Sequence, residues 1–245
     1  MNAAVSLNDI LIRADVWRGA LGGAEVPALS SGFAALDAEL PGGGWPRGAL
    51  TELLTDEAGA GECALLMPVL NTQRAEARWS VLIAPPHGLH APAWAAQGVD
   101  CSRLAIVAPQ GRRDLLWATE QALSSGAAGM VVCWAKQLDP AQVRRLQVAV
   151  AGSGALAFLF RPLRAWTEAS AAPLRLLLSS GQRGELCVNL LKRRGPPCGR
   201  TLHLKVPRPL AWREVSDDHD AHETSVARPV PAVFPARSQR PVAVA

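Results

Sequence analysis

Among 245 residues the sequence has no tyrosine, 4 phenylalanines and 3 methionines. So few aromatics argue against a single-strand nucleic-acid platform of the usual kind, in which successive bases stack on exposed rings. The 5 cysteines (Cys63, Cys101, Cys133, Cys187, Cys198) are odd in number and form no CxxC pair, so neither zinc nor a disulfide framework is indicated. Several lie in apolar runs, where cysteine behaves as a small buried hydrophobe. The chain has no G-x-S-x-G elbow, no HExxH and no acidic metal loop. Ser30 and Ser31 lie in a loop with no neighbouring His or Asp to suggest a nucleophile. The first residues lack the basic-then-apolar order of a signal peptide. The longest apolar stretch, residues 148–160, is interrupted by Gly152, Ser153 and Gly154 and is too short to span a bilayer. A soluble cytoplasmic protein without membrane contact, metal or cofactor is expected.

A 49 % hydrophobic chain of this length can bury one large core or two small ones. The net charge of +4 is mildly basic; it permits an acidic partner without establishing nucleic-acid binding.

The stretch that organises the rest is residues 49–66. An apolar run over 49–54 reads as a strand, 56–61 as a Gly-containing loop, and Cys63 onward as the start of a helix. That is the layout of a phosphate-binding loop, G-x-x-x-x-G-K-[ST], in which backbone amides surround the phosphates, Lys meets their oxygens and Ser/Thr holds Mg²⁺. Here the eight slots run from Asp56 to Cys63. Gly59 and Gly61 remain in the loop, but Asp56 replaces the first Gly, Glu62 the Lys and Cys63 the Ser/Thr. A unit-charge contact at ~4 Å is worth roughly 4 kcal/mol at an effective dielectric near 20. Replacing Lys by Glu turns an attraction of that order into a repulsion. A thiol is a poor ligand for Mg²⁺, which prefers hard oxygen. A helix N-terminus still favours an anion, and Glu62, with Asp56 or Glu57, can supply it from within the chain. The alternative is a coincidental Gly-containing strand–helix turn.

Along the chain, residues 7–21 have the helical spacing of apolar residues, with Trp17 packing inward or anchoring a partner. Residues 29–40 read as a turn and a short helix with Phe33, Leu36 and Leu40 inward, and the Pro/Gly-rich residues 41–48 as a tight loop. Beyond the phosphate-loop-like stretch, strands (80–84, 104–108, 129–134, 155–160) alternate with helices (64–78, 91–97, 112–125, 140–151). Pro68 is expected in the first turn of its helix or at a kink, and Asp139 as an N-cap with Pro140 first in the helix. Near-continuous apolar strands alternating with helices predict a parallel, right-handed α/β layer fold. Residues 174–180, 185–193 and 200–205 then read as three strands without helices, an antiparallel extension at the C-terminal edge of the sheet. Lys192, Arg193, Arg194, Arg200 and Lys205 make this the most basic segment; they either meet DNA or an acidic partner or protect an edge from aggregation. Residues 207–245, with six prolines and few large apolar residues, read as a disordered tail. Its apolar spots, around Trp212 and Phe234, either dock on a partner or are simply solvated.

The order of these segments resembles the RecA-like ATPase core, which opens with a stretch like Ser30–Asp37, a Gly-rich loop like Gly42–Gly48 and the loop strand. Within that fold it resembles the ImuA family, associated with translesion DNA synthesis. The residues that carry this are Val16-Trp-Arg-Gly19, the block from Leu36 to Leu54, and Leu191-Lys-Arg-Arg-Gly-Pro-Pro197; the likeness covers roughly residues 16–206. It implies a RecA-like three-layer core with a mostly parallel sheet over residues 29–206, an N-terminal helical segment over 1–28 and the tail over 207–245. RecA-like ATPases place a catalytic carboxylate just after the second core strand, where this chain has Ala84-Pro-Pro-His87. They end a later strand with an acidic Mg²⁺-linked residue, where this chain has Cys133-Trp134. With Glu62 at the Lys position, phosphate clamp, water-positioning base and metal anchor are all missing from their usual places. His87 and His90 are candidate substitute bases only by residue type, because neither shows a partner in the sequence.

The resemblance therefore implies a non-catalytic adaptor in SOS-induced, error-prone translesion synthesis, DNA-repair work with a nucleoid-associated location. Its implied partners are ImuB and an error-prone replicative-type DNA polymerase subunit, with RecA a further candidate and DNA contact indirect or weak. Arg193, Arg194, Trp212 and Phe234 are the candidate partner contacts. The rival readings are a divergent ATPase, a modulator of RecA filaments and an SOS cell-division inhibitor.

Overall fold

The computed structural model describes residues 27–56, 61–182 and 185–206. The helix expected over residues 7–21 and the tail from residue 207 lie outside the described residues. Two short strands, β1 (Ala28–Leu29) and β2 (Trp45–Pro46), pair antiparallel around helix α1 (Ala34–Asp37). The rest alternates as expected: β3 (Ala49–Leu54), α2 (Glu62–Glu76), β4 (Trp79–Ile83), α3 (Ala91–Ala96), β5 (Leu104–Val107), α4 (Arg112–Ser124), β6 (Ala128–Trp134), α5 (Pro140–Val150) and β7 (Leu156–Arg161). Three strands close the chain: β8 (Leu174–Ser180), β9 (Glu185–Lys192) and β10 (Thr201–Lys205). Among the described residues no helix is long and apolar enough to cross a membrane.

The main sheet has the order β10-β9-β8-β3-β7-β6-β4-β5. Side chains alternate across it, so each central strand feeds two cores. Leu53, Leu82, Met130, Val132, Leu156 and Phe158 face α2, α3 and the N-terminal turn. Leu50, Ile83, Val131, Cys133, Ala157 and Leu159 face α4 and α5. Helices on both sides of a mostly parallel sheet form the three-layer α/β architecture.

Local chemistry fixes the element ends. Asp139 caps α5 by accepting the Gln142 amide at 2.8 Å, while the Gln142 side chain accepts the Asp139 amide at 3.1 Å, a reciprocal box that adds Gln142 to the expected cap. In the first turn of the fold, Asp37 accepts the Ser30 hydroxyl at 2.6 Å and the Ser31 amide at 2.8 Å. This corrects the expectation that the serines have no neighbouring Asp. The contact fastens a turn, and no histidine completes a nucleophilic set there among the described residues. Gly32, at φ +83°, is needed in that turn, because a Cβ would stand 2.5 Å from the ring of Pro68.

Of the two placements open to Pro68 the fold excludes the first turn: helix α2 starts at Glu62, earlier than the apolar spacing suggested, and Pro68 lies in its interior. Its ring lies against the Gly32 turn.

The C-terminal edge carries the expected antiparallel extension: β8 pairs antiparallel with β9 and β9 with β10, while β8 also pairs parallel with β3, Thr51 opposite Leu174, and so joins the extension to the parallel sheet. The chain crosses from β7 over β3 to β8 through a short 3-10 turn, η (Leu163–Thr167), without an α-helix.

That crossover covers a buried charge cluster. Glu52, on β3, is fully buried; its Oε2 accepts from Arg175 Nε at 2.6 Å and its Oε1 from an Arg161 terminal nitrogen at 3.2 Å. Arg161 also donates to Glu168 at 2.6 Å and to the Leu138 carbonyl at 2.7 Å. Arg175 donates to the Ala165 carbonyl at 2.7 Å and to those of Trp166 and Glu168. The two arginines thus tie three adjacent strands to the backbone of the crossover. Removing one member of such a set strands the others' charge away from water. The Glu52→Gln variant is expected to lose about 3–5 kcal/mol in a urea unfolding titration; a loss under about 1 kcal/mol would show that the cluster is not a structural tie.

Candidate functional site

In a sheet of this kind ligands bind beyond the carboxyl ends of the strands, where neighbouring connections leave on opposite faces. Here β3 leads to α2 on one face and β7 to the crossover on the other. At this point the described residues line an open cavity of about 810 Å³.

On the β3 side it is lined by Thr55, Asp56 and Glu62, which flank the altered phosphate loop. Asp56 does not face an empty phosphate position: its Oδ1 accepts the Leu163 amide at 2.8 Å, which ties the loop to the crossover. Gly59 and its neighbours 57–60 lie outside the described residues. Gly61 has φ +101°, and a Cβ there would meet Val206 at 2.8 Å, so both conformation and space demand glycine. Glu62 is the first residue of α2, buried, with Oε2 accepting the Gly61 amide at 3.1 Å. A carboxylate at the positive end of a helix is favourable. The Cys63 thiol is pushed up to about 12, first by burial and then by the Glu62 charge. It stays protonated at neutral pH and offers no metal ligand.

The other two positions are equally specific. Strand β4 runs into Ala84, whose φ of 53° is unusual for a residue with a Cβ. His87 and His90, exposed beyond it, make no side-chain hydrogen bond or ion pair among the described residues. At the end of β6 the buried Cys133 thiol is pushed up to about 11 by burial and lies 3.4 Å from the Thr119 hydroxyl. Next to it Trp134 stacks on Phe160 of β7, centroids 5.1 Å apart and planes 8° from parallel. Among the described residues no group of three His, Cys, Asp or Glu side chains is placed to hold a metal ion.

Sequence reasoning missed two features of this cavity. One is Arg161, which reaches its wall from the buried cluster. The other is a rim of Arg112, Lys136 and Arg164, all exposed. The first feature had a signal: a charge set inside an apolar strand, as in Leu50-Thr-Glu-Leu-Leu54 and Phe158-Leu-Phe-Arg161. The rim had none, because its members are far apart in the chain.

Arg193 and Arg194 lie elsewhere, after β9. Arg193 donates to Glu39 Oε2 at 2.7 Å, and Arg200 to its other oxygen at 2.6 Å. Arg193 foremost holds the Glu39 carboxyl below its ordinary range. Arg193 is thus engaged in fixing the β9–β10 connection to the segment after α1, whereas Arg194 is exposed. Trp212 and Phe234 lie outside the described residues.

The RecA N-terminal domain family matches residues 16–141, just over half of the 245. The chain is 33 % identical over 111 residues to protein RecA of Chlorobium chlorochromatii, covering 45 % of this chain and 31 % of that protein. It is 32 % identical over 108 residues to protein RecA of Chlorobaculum parvum, 44 % of this chain and 30 % of that one. It is 29 % identical over 111 residues to the cell division inhibitor SulA of Photorhabdus laumondii, 45 % of this chain and 63 % of that one. The chain thus spans about a third of the length of the RecA proteins it matches.

The Cys63 thiol, in the Ser/Thr slot of the loop, offers a direct check of the placement beside Glu62. With Cys63 held protonated, iodoacetamide at about pH 8.5 should modify it roughly a hundredfold more slowly in the folded chain than in urea. Peptide mapping of the alkylated protein reads this; equal rates would contradict the half-buried, anion-flanked placement.

Proposed function

The chain belongs to the RecA N-terminal domain family, and on that premise we propose that it is a non-catalytic adaptor of the SOS-induced translesion DNA synthesis machinery. It works through partner binding, and the resemblance to ImuA names the partners as ImuB and an error-prone replicative-type polymerase subunit. In this reading residues 29–206 form the scaffold, residues 1–28 and 207–245 are its appendages, and the protein works at the nucleoid.

The observation that carries the reading is the Glu62 carboxylate at the amino end of α2, bonded to the Gly61 amide. It brings negative charge to the place where a RecA-like ATPase needs a cation for phosphate. Two further features support it: Ala84 stands at the end of β4 and Cys133-Trp134 at the end of β6, where such an ATPase has carboxylates. One such change can be compensated from elsewhere in a molecule. Three together leave phosphate clamping, water activation and metal anchoring each without its side chain. A second reading, an SOS cell-division inhibitor, draws on the similarity to SulA over 63 % of that protein.

Affinity purification of the full chain from cells with damaged DNA tests the proposal. ImuB is expected in the eluate, and a Trp212→Ala, Phe234→Ala double variant is expected to recover less of it. Failure to recover ImuB with the parent chain would contradict the adaptor reading. Filamentous growth on overproduction, with no ImuB recovered, would favour the second.

A further inference from the structure

The cavity at the carboxyl ends of β3, β4, β6 and β7 has a chemistry that the loss of the phosphate loop does not account for. Its inner wall is apolar: the Trp134–Phe160 stack, with Leu115, Ala84 and Pro86 around it. Its rim carries Arg112 from the start of α4, Lys136 from the segment after β6, and Arg164 from the crossover after β7. We propose that it is a socket for an acidic peptide segment of a protein partner, which inserts an aromatic or large aliphatic side chain against Trp134 and sets its carboxylates on Arg112, Lys136 and Arg164. This deepens the adaptor reading above and rests on it.

The charge balance points this way. The cavity's own carboxylates are already engaged by backbone amides, Asp56 by Leu163 and Glu62 by Gly61. Arg161 is held by Glu52 and Glu168. Among the described residues the three rim cations have no carboxylate partner; Arg164 donates only to the Lys136 carbonyl, at 2.7 Å, which sets those two side by side. Arg112 and Arg113 outnumber Asp114 in the first turn of α4, where the helix end is itself positive, so an anion there relieves an unfavourable arrangement.

The same balance disfavours a polyphosphate. Its charges are contiguous, and a triphosphate reaching into the cavity meets Glu62 and Asp56. A peptide spaces single carboxylates along a backbone and places an uncharged side chain between them. Cations stay at the mouth, an apolar anchor goes inside, and Glu62 faces no charge. The volume, about 810 Å³, lies within the range of pockets that enclose a ligand of several large groups. A buried anchor surrounded by a polar rim is also the usual arrangement of a binding hot spot.

The test is fluorescence anisotropy of the full chain with a fluorescein-labelled synthetic peptide that alternates Asp and Glu with Leu and Phe. The control is a peptide with Lys in place of each acid. Saturable binding of the acidic peptide alone is expected, weakened at least about tenfold in the Lys136→Glu, Arg164→Glu double variant. Both substituted side chains are exposed, and circular dichroism checks that the variant stays folded. Equal binding of the two peptides, no binding of either, or a double variant that binds like the parent would overturn the socket. Displacement of the peptide by Mg-ATP, or by oligothymidylate, would overturn it in favour of a nucleotide or a single strand. ImuB capture separates the two levels. A double variant that still captures ImuB while no acidic peptide binds sinks the socket alone. A parent chain that captures no ImuB sinks the adaptor reading, whatever the peptide does.

Discussion

Glu62 begins α2 with its carboxylate turned back on the Gly61 amide, 3.1 Å away, beside a thiol that its charge helps to keep protonated. A helix amino end has unsatisfied N–H groups and a positive field, and something negative or polar must meet them. In a phosphate-binding loop the ligand does so. Here the Glu62 side chain meets one such amide, that of Gly61. The neighbouring constraints follow from that arrangement. Gly61 must keep φ +101° and lie against Val206, so the end of β10 closes over the amino end of α2. Asp56 is turned to the crossover amide.

The buried cluster around Glu52 has the complementary task. The chain passes from β7 over β3 to β8 without an α-helix to cover the sheet there. There two arginines bind Glu52 and nearby carbonyls, and these hydrogen bonds hold the turn together with the burial of Ala165 and Ala172. The anchored crossover places Arg164 and Pro162 at the mouth of the cavity. Lys192, at the end of β9, is also drawn in: burial foremost, and then the charge of Arg175, holds its ammonium below the ordinary lysine range, and it donates to the Ser170 carbonyl at 2.9 Å. Electrostatics far from the phosphate loop thus shapes the surface available to a partner.

Much of this was legible in the sequence, for physical reasons. The alternation of β-branched and leucine runs with amphipathic segments set strand and helix type to within a residue or two, because both faces of a central strand must be apolar. The Asp139-Pro140 signal placed the start of α5, since a capping carboxylate and a fixed φ act locally. Pairing partners are not local: the apolar run of β8 is the same whether it lies parallel to β3 or antiparallel to it, so its parallel seat beside β3 exists only in the fold. Which of its two placements Pro68 takes is not local either, because its ring meets the Gly32 turn, far away in sequence. The lysine-to-glutamate change in the loop was visible, whereas the rim of Arg112, Lys136 and Arg164 exists only once three strands lie side by side.

In the proposed reading the chain's own charge at Glu62 closes this end of the sheet to nucleotide. Isothermal titration of Mg-ATP into the full-length protein tests this most directly. The expected result is no saturable heat up to about 1 mM nucleotide, the range beyond which binding is too weak to organise a site. A Kd of about 1 µM that is abolished when Gly61 is replaced would contradict it.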